Sequence, residues 1–319
     1  MVRRRLLLLV LGFMALGQLY GQPQESRNDS AYDLKVPVNL VLVPVTVEDS
    51  EGNLIHNLGQ NDFELSEDGT SQKISYFSVD PSPLSVAFLI DRTVDEHSQQ
   101  IFKKNMLALV EAFSSFDEMA FYEFLDGSRK LQDFTFRKEA LLKPMGEVNF
   151  VPCRVMAPTS LAYAPRLNTS FLDNAISAAA HDLERRGAHR RKVIFVVSNG
   201  VTSAAERQTF AETRRLLIQN SIAVYGIGAG NSLLFKKVDP LKKYADSTGG
   251  RVFYPWKTRG FAETYQRISE TARNQYVLGY VQSNDLKDGE YRSIVVRLNR
   301  AGFAGKVRNR KGYYASLNP

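Results

Sequence analysis

The sequence predicts an α/β fold in which a doubly wound, mostly parallel sheet is inserted in a discontinuous β-sandwich. Through the middle of the chain, apolar runs typical of strands covered on both faces alternate with segments of helical periodicity. Such alternation indicates parallel strands joined by helices. Strand-like segments without helices lie on both sides of this region, and neither set has enough strands to bury a face alone. We therefore expect the two flanks to pair.

The start of the chain predicts export. Met1 to Arg5 contains three arginines and no acidic residue, and the apolar run Leu6 to Leu16 has the length of a signal-peptide core. A membrane-spanning helix needs ~20 apolar residues, more than this run offers. We expect a signal peptide over residues 1–21, cleaved after Gly17 or Gly21, and an extracytoplasmic protein that is periplasmic, cell-surface or secreted. An uncleaved amphipathic anchor is the alternative, and no other transmembrane segment is expected.

Charge and cysteine content narrow the class of protein. The formal net charge is +7, and the three arginines of the leader contribute part of it. The remaining basic groups do not interleave with aromatic residues as a surface for single-stranded nucleic acid would, so no nucleic-acid partner is expected. Cys153 is the single cysteine, so no intrachain disulfide can form. We expect Cys153 to be inert in a loop, and an intermolecular disulfide is the alternative.

Residues 36–82 predict the first part of the β-sandwich, after a flexible lead over residues 22–35. Val36 to Val47 is rich in β-branched residues and contains two prolines, which favour an edge strand or a bulge. Phe63 to Gly69 and Gln72 to Val79 alternate apolar and polar residues around an Asp-Gly turn, the pattern of a β-hairpin. This flank is expected to be all β.

Residues 83–273 predict the α/β domain. Its strands are near-continuous apolar runs, as expected of central parallel strands. The four runs are Leu84–Ile90, Met119–Phe124, Val193–Val197 and Ile222–Ile227. Segments with apolar residues three and four positions apart predict the helices between them. These segments lie around residues 98–116, 171–186, 205–220, 234–247 and 260–274.

Residues 274–319 predict the second part of the β-sandwich. Three strand-like runs, Gln275–Val281, Tyr291–Leu298 and Lys306–Tyr314, are separated by Asp-Gly and Ala-Gly turns. Three isolated strands make a poor domain, so we expect these strands to share a buried face with those of residues 36–82.

Several motifs resemble the von Willebrand factor A domain. Phe88 to Asp95 stands where these domains carry D-x-S-x-S after their first strand. Thr169 to Ala175 is similar to their threonine-containing loop and helix, and Val196 to Gly200 resembles their S-D-G strand end. Further motifs are similar to the von Willebrand factor A-related family of exported proteins best known from acidobacteria; they are Asp62–Gly69, Ser247–Arg251, Gln275–Tyr280 and Lys311–Ala315. The resemblance extends from Val36 to Ala315 and implies an A-like, Rossmann-like domain.

The resemblance implies a metal-ion-dependent adhesion site (MIDAS) at Asp91, Thr93, Asp95, Thr169 and Asn199. In A domains with an intact site, two aspartates, two serines and a threonine hold a divalent cation, whose open coordination position takes an Asp or Glu of the partner. Here Asp91 and Thr169 match the pattern. Thr93 and Asp95 replace the serines, and Asn199 replaces the later aspartate. The set is a degenerate site for Mg²⁺, a cation that prefers hard oxygen ligands.

Two interpretations of these residues stay open. A carboxylate gained at position 95 and one lost at position 199 leave the formal charge of the set unchanged, which is compatible with a bound Mg²⁺. In the other interpretation, Thr93 and Asp95 cap or turn the loop before the first helix, and Ser170 with Asp173 starts a later helix. The domain is then a scaffold without a cation.

The sequence predicts a binding module rather than an enzyme. Phosphate-loop, H-E-x-x-H and G-x-S-x-G motifs are missing, and the four histidines share no ligand spacing. Gly226 to Gly230 fits a tight strand exit better than a dinucleotide loop. The leading hypothesis is recognition of a protein or extracellular polymer through the carboxyl-end face of the A-like domain. The alternatives are a structural envelope component that assembles through its β-sandwich, and an unrecognised hydrolase.

Overall fold

The computed structural model describes residues 40–151, 171–201, 209–229, 240–255, 259–282 and 289–315. The expected signal peptide over residues 1–21, the lead over residues 22–35, Cys153 and Thr169 lie outside the described residues. None of the described helices is long and apolar enough to cross a membrane.

The described ranges contain fourteen strands and six helices, numbered in chain order. The strands are β1 (Leu40–Glu48), β2 (Phe63–Glu67), β3 (Thr70–Gln72), β4 (Ile74–Ser78), β5 (Leu84–Asp91), β6 (Glu118–Phe124), β7 (Ser128–Thr135), β8 (Arg191–Ser198), β9 (Ile222–Gly228), β10 (Val252–Phe253), β11 (Tyr276–Val281), β12 (Tyr291–Leu298), β13 (Lys306–Asn309) and β14 (Gly312–Tyr314). The helices are α1 (Glu96–Glu111), α2 (Glu139–Gly146), α3 (Leu172–Glu184), α4 (Phe210–Gln219), α5 (Pro240–Thr248) and α6 (Arg259–Arg273).

The central sheet has the strand order β10-β9-β8-β5-β6-β7. Its strands pair in parallel except β7, which runs antiparallel to β6. All residues of β5 and β6 are buried, as the apolar runs predict for strands covered on both faces. The sequence pattern does not predict β7, because this edge strand is mostly polar.

Helices cover both faces of the central sheet. Alternate side chains of β5 belong to two hydrophobic clusters: Val86 and Phe88 pack with residues of α1, α2 and α6, and Ala87 and Leu89 pack with residues of α3, α4 and α5. The predicted α/β fold with a mostly parallel sheet is confirmed. Helix α2 has no counterpart among the predicted helices, since it is short and contains Pro144.

Two four-stranded sheets combine strands from both flanks of the central sheet. One has the order β13-β1-β11-β4 and the other β14-β12-β2-β3. In the first, β1 pairs antiparallel with β11; in the second, β2 pairs antiparallel with β12. Side chains from both sheets, among them Val43, Leu65, Leu278 and Ile294, form one hydrophobic cluster. The two flanks of the chain therefore bury a common core.

The predicted hairpin is divided between these two sheets. Asp68 and Gly69 have φ angles of 47° and 81°, and this pair of positive angles is typical of the type I′ turn that joins β2 to β3. Beyond Gln72 the chain leaves this sheet, and β4 pairs with β11 in the other one. Pro44 lies in a strand with two neighbours, but only β11 pairs at that position because pairing with β13 begins at Val45. The proline therefore lies where one side of β1 is an edge.

Two glycines after α5 allow close backbone approaches, Gly249 to the flanking strands and Gly250 to the central sheet. Gly249 has a φ of +83°, and a Cβ there would lie 2.8 Å from the backbone N of Arg310. A Cβ on Gly250 would lie 1.9 Å from the backbone O of Val224 in β9. Any larger residue at these positions would have to displace backbone atoms.

A buried ion cluster also connects the segment after α5 to the flanking strands β1 and β13. The carboxylate of Glu48, at the end of β1, accepts hydrogen bonds from Arg251 Nη1 at 2.6 Å and from Arg308 Nε at 3.1 Å. Because a buried carboxylate is unfavourable unless it is paired, these three residues are expected to stabilise one another's positions.

The close approach at Gly250 generates a stability prediction. Gly250→Ala should lower the free energy of unfolding by about 1–3 kcal/mol or more, because the added methyl group overlaps the Val224 carbonyl. Gly127→Ala is the matched control, since a Cβ there meets nothing within 4 Å, and it should change stability by less than about 0.5 kcal/mol. Urea denaturation measures both, and equal midpoints for the two variants would contradict the packing described.

Candidate functional site

The carboxyl ends of β5 and β8 lie side by side in the central sheet. The two strands are parallel, with Ile90 opposite Val197, so Asp91 and Ser198 end adjacent strands. Open α/β sheets bind ligands at this edge, outside the carboxyl ends of their strands.

The Asp91 carboxylate is fully buried and held by hydrogen bonds. Its Oδ1 accepts from the Thr93 backbone N at 2.8 Å and from Thr93 Oγ1 at 2.6 Å, and its Oδ2 accepts from Ser198 Oγ at 2.7 Å. Burying a carboxylate is unfavourable unless it is hydrogen-bonded. Thr93 and Ser198 supply the donors that allow the central strand to end in a buried charge.

The Asn199 side chain donates to the same cluster. Its Nδ2 donates to Thr93 Oγ1 at 3.0 Å and to the Thr93 backbone O at 3.1 Å, and its Oδ1 accepts from the Val201 backbone N at 2.8 Å. A backbone carbonyl can only accept and a backbone N–H can only donate, so these partners fix which end of the amide is which. A chain of hydrogen bonds therefore runs from Asn199 through Thr93 to Asp91.

The Asp95 side chain is engaged at the start of α1. Asp95 is the N-cap of this helix, and its carboxylate accepts from the Ser98 backbone N at 3.0 Å and from Ser98 Oγ at 2.6 Å. Both oxygens thus satisfy groups of the first helical turn, as Asp does at many N-caps.

The sequence predicts that Ser170 and Asp173 start a helix. Ser170 lies outside the described residues, and the Asp173 side chain makes a different contact. The N-cap of α3 is Phe171, and the Asp173 carboxylate accepts a hydrogen bond from Tyr244 Oη at 2.6 Å. Burial raises the pKa of the Asp173 carboxyl above its usual value, against the opposing effect of the Tyr244 hydrogen bond.

The four described residues of the expected MIDAS do not fit a magnesium ion in this arrangement. Mg²⁺ needs near-octahedral oxygen ligands. Here Asn199 presents its N–H groups to Thr93, the Thr93 hydroxyl is bonded to Asp91, and Asp95 caps α1.

A second polar cluster lies at the carboxyl end of β6. The Glu123 side chain is 3% exposed, and its Oε1 accepts from Arg129 Nε at 3.0 Å and Arg129 Nη2 at 2.6 Å. Arg92 Nη1 lies 3.9 Å from the same oxygen. Glu123 Oε2 is buried, and no described residue donates a hydrogen bond to it. A cavity of about 270 Å³ opens here, lined by these side chains and by the β6–β7 turn around Gly127.

The sequence interpretation misses Ser198 and Glu123 as site residues. Ser198 could have been found from its place at the end of an apolar run, directly before Asn199. The signal for Glu123 is a charged residue inside the otherwise apolar run of β6. Both residues lie at the carboxyl-end edge of the sheet, as Asp91 does, with Glu123 opposite Ile90 in the strand register.

Comparison with known proteins yields structural similarity only. No family model and no curated protein match the chain. An aerotolerance-related membrane protein from Bacteroides fragilis is 12% identical, with 59% of this chain and 98% of that chain covered and a TM-score of 0.42. A von Willebrand factor type A protein from Catenulispora acidiphila is 10% identical, with 82% and 76% covered and a TM-score of 0.47.

Proximal thread matrix protein 1 from the mussel byssus, whose MIDAS motif is occupied by zinc, is a third similar structure. It is 14% identical to this chain, with a TM-score of 0.45. The match covers 66% of this chain and 50% of that chain. Similarity at this level assigns neither a family nor a function to the chain.

The hydrogen-bond chain generates a prediction about Asn199. Asn199→Asp removes the donor to Thr93 and adds a carboxylate beside buried Asp91, so it should lower the free energy of unfolding by ~1–3 kcal/mol at neutral pH. Two neighbouring carboxylates raise each other's pKa in the folded state, so the loss should shrink as the pH falls. Asn299→Asp, at an exposed position, is the matched control.

Mg²⁺ provides the second arm of this test. Asp95→Ser together with Asn199→Asp restores the usual ligand set, and Ser still caps a helix well. Mg²⁺ should raise the melting temperature of the double variant and leave that of the wild type unchanged. A wild type stabilised by Mg²⁺ as strongly as the double variant would contradict the hydrogen-bonded arrangement.

Proposed function

We propose that this protein is an exported, non-enzymatic binding module that recognises a protein or extracellular polymer through the carboxyl-end face of an A-like domain. In this proposal the α/β domain is inserted in a β-sandwich formed by both flanks of the chain. The arginine-rich start and apolar run of the sequence support export. The core shared by the two flanking sheets supports the insertion.

The observation that carries the proposal is the buried, half-satisfied carboxylate of Glu123. One oxygen accepts two hydrogen bonds from Arg129 and lies near Arg92, whereas the other is buried and has no donor among the described residues; the Glu123 residue itself lines a cavity. An unsatisfied buried acceptor is unfavourable by ~1–3 kcal/mol, which a ligand's N–H or O–H group can recover. The arrangement therefore favours a partner that brings a donor to this face.

The neighbouring guanidinium groups refine the chemistry of that partner. The Arg129 side chain is 67% exposed and can donate to an acceptor placed beside Glu123. A group that both donates and accepts, such as a hydroxyl of a polymer or an amide of a protein, satisfies Glu123 and Arg129 together. This requirement differs from that of an intact adhesion site, in which a cation attracts an acidic side chain of the partner.

Recognition by this face is expected not to depend on a divalent cation. Asp91, Thr93, Ser198 and Asn199, here called the Asp91 cluster, are hydrogen-bonded to one another. Arg92, the residue between Asp91 and Thr93, lines the Glu123 cavity, so in this proposal the cluster helps to position one wall of that cavity.

A capture experiment with surface variants tests the proposal. Gly127→Trp places a ring at the mouth of the Glu123 cavity, where a Cβ meets nothing within 4 Å, so the fold should be retained. We expect wild-type protein to capture a partner from an envelope extract of the source organism equally with Mg²⁺ or a chelator, and Gly127→Trp to lose it. Tyr76→Arg, a bulky change on the flanking sheet, is the matched control and should retain capture.

A second candidate function, assembly into the cell envelope through the β-sandwich, is favoured by one observation. Leu40, Leu42, Tyr76 and Val281 are exposed apolar residues, and they lie on strands β1, β4 and β11 of one sheet, of which β4 is an edge strand. If Tyr76→Arg abolishes capture or self-association while Gly127→Trp does not, this second candidate replaces the first. Loss of capture by chelation alone would contradict both.

A further inference from the structure

A cavity lies at the opposite edge of the central sheet, by the amino ends of β8 and β9. It encloses about 390 Å³ between that edge and the outer face of the sheet containing β1, within the ~300–1,000 Å³ typical of small-molecule pockets. Leu42 and Val277 contribute from the β1 sheet, and Ile222 and Ala223 contribute from β9. One part of the cavity wall is thus apolar.

The charged residues of this wall are all basic. Arg190, Arg191, Lys192 and Arg310 line the cavity, and no acidic side chain is among the described residues that do so. Arg190 is paired with Glu118, whose Oε1 lies 3.3 Å from Arg190 Nε. The ammonium group of Lys192 donates to the Glu184 backbone O, and burial lowers the pKa of Lys192.

Arg191 has a structural role that accounts for its charge. Its Nη1 donates to the backbone O atoms of Ala272 and Arg273 at 3.1 and 2.7 Å, at the carboxyl end of α6. Free carbonyls and the helix dipole make this end negative, so a guanidinium there is favourable. Burial nevertheless lowers the pKa of Arg191 to about 10.

Arg310 differs because nothing described compensates its charge. A guanidinium has five N–H donors. In Arg310, Nη2 donates to the Leu42 backbone O at 2.9 Å and Nη1 donates to Ser221 Oγ at 3.3 Å. Arg310 Nε is buried without an acceptor among the described residues. No carboxylate of the described residues is among the groups that shift the pKa of Arg310, which burial lowers.

Arg292 shows what distinguishes Arg310. Arg292 Nε also lacks a described acceptor, but this guanidinium is paired with Asp68 at 3.0 Å and Glu290 at 3.2 Å. Arg310 has the face of Tyr313 at 5.7 Å in place of a carboxylate. Arg310 is partly buried, with its Nε atom fully so. A cation that is partly withdrawn from water without a paired anion is unfavourable, so an anion that reaches it would bind favourably.

We propose that this cavity binds a medium-chain aliphatic carboxylate, whose chain packs against Leu42, Val277 and Ala223 and whose carboxylate pairs with Arg310. The basic wall repels a cationic head group, and the apolar wall gains nothing from a small inorganic anion. Since Leu42 belongs to β1 and Ala223 to β9, the bound molecule contacts both the flanking sheet and the central sheet. Binding is therefore expected to stabilise the folded protein.

Calorimetric titration of the full chain with sodium octanoate tests the proposal. We expect octanoate to bind and to raise the melting temperature, and 1-octanol, octylammonium and acetate to bind at least about tenfold more weakly. Arg310→Met should weaken octanoate binding about tenfold or more, and Arg310→Lys should recover part of the loss, because charge-assisted hydrogen bonds exceed neutral ones. Lys306→Met, an exposed change in the adjacent strand, should leave the affinity unchanged.

Ala223→Phe gives an independent test, because it fills the cavity without altering its charge. This variant should abolish octanoate binding while keeping the circular dichroism spectrum of the wild type. The proposal is overturned if the wild type does not bind octanoate, if Arg310→Met binds it as well as the wild type, or if Lys306→Met weakens binding equally. Retained binding by a folded Ala223→Phe variant would also overturn it.

Discussion

A carboxylate buried at the end of the central strand is the constraint on which the carboxyl-end face depends. Asp91 is flanked by β6 and β8 and is fully buried, so its charge must be met inside the protein. A cation or a set of hydrogen-bond donors can do this. Among the described residues the donors are present: Thr93 and Ser198 bond the carboxylate, and Asn199 bonds Thr93 in turn. An amide thus stands where the resemblance implies a metal-binding carboxylate.

The same rule applied to other buried charges explains why two positions stand out. Other buried carboxylates are met inside the protein: Glu48, Asp117 and Glu118 are paired with Arg251, Arg273 and Arg186, and Glu67 accepts hydrogen bonds from Tyr280 and Tyr313. Glu123 keeps one oxygen without a described donor, and Arg310 keeps its charge without a described carboxylate. The two lie at opposite edges of the central sheet, each beside a cavity. Incomplete internal pairing is therefore the physical basis of both proposals.

Strong local patterns predict the central sheet well, because β5, β6, β8 and β9 each contain a near-continuous apolar run. Strand β7 has no apolar run, because a strand at the edge of a sheet can be polar. Order along the chain also places Asp91 and Asn199 at one edge. It does not reveal that Asp95 turns to cap α1, because the sequence is compatible with either a ligand or a cap. That choice depends on the helix start in three dimensions.

The side-chain amide of Asn199 offers the most direct test of the hydrogen-bonded Asp91 cluster. In an NMR spectrum of ¹⁵N-labelled protein, its two N–H signals can be assigned by their loss in Asn199→Asp. The cluster described here predicts that these protons exchange slowly with water and keep their chemical shifts when Mg²⁺ is added, since both donate to Thr93. Rapid exchange, or shifts that move with Mg²⁺ and stop moving in Asp91→Ala, would contradict it and indicate a cation at this site.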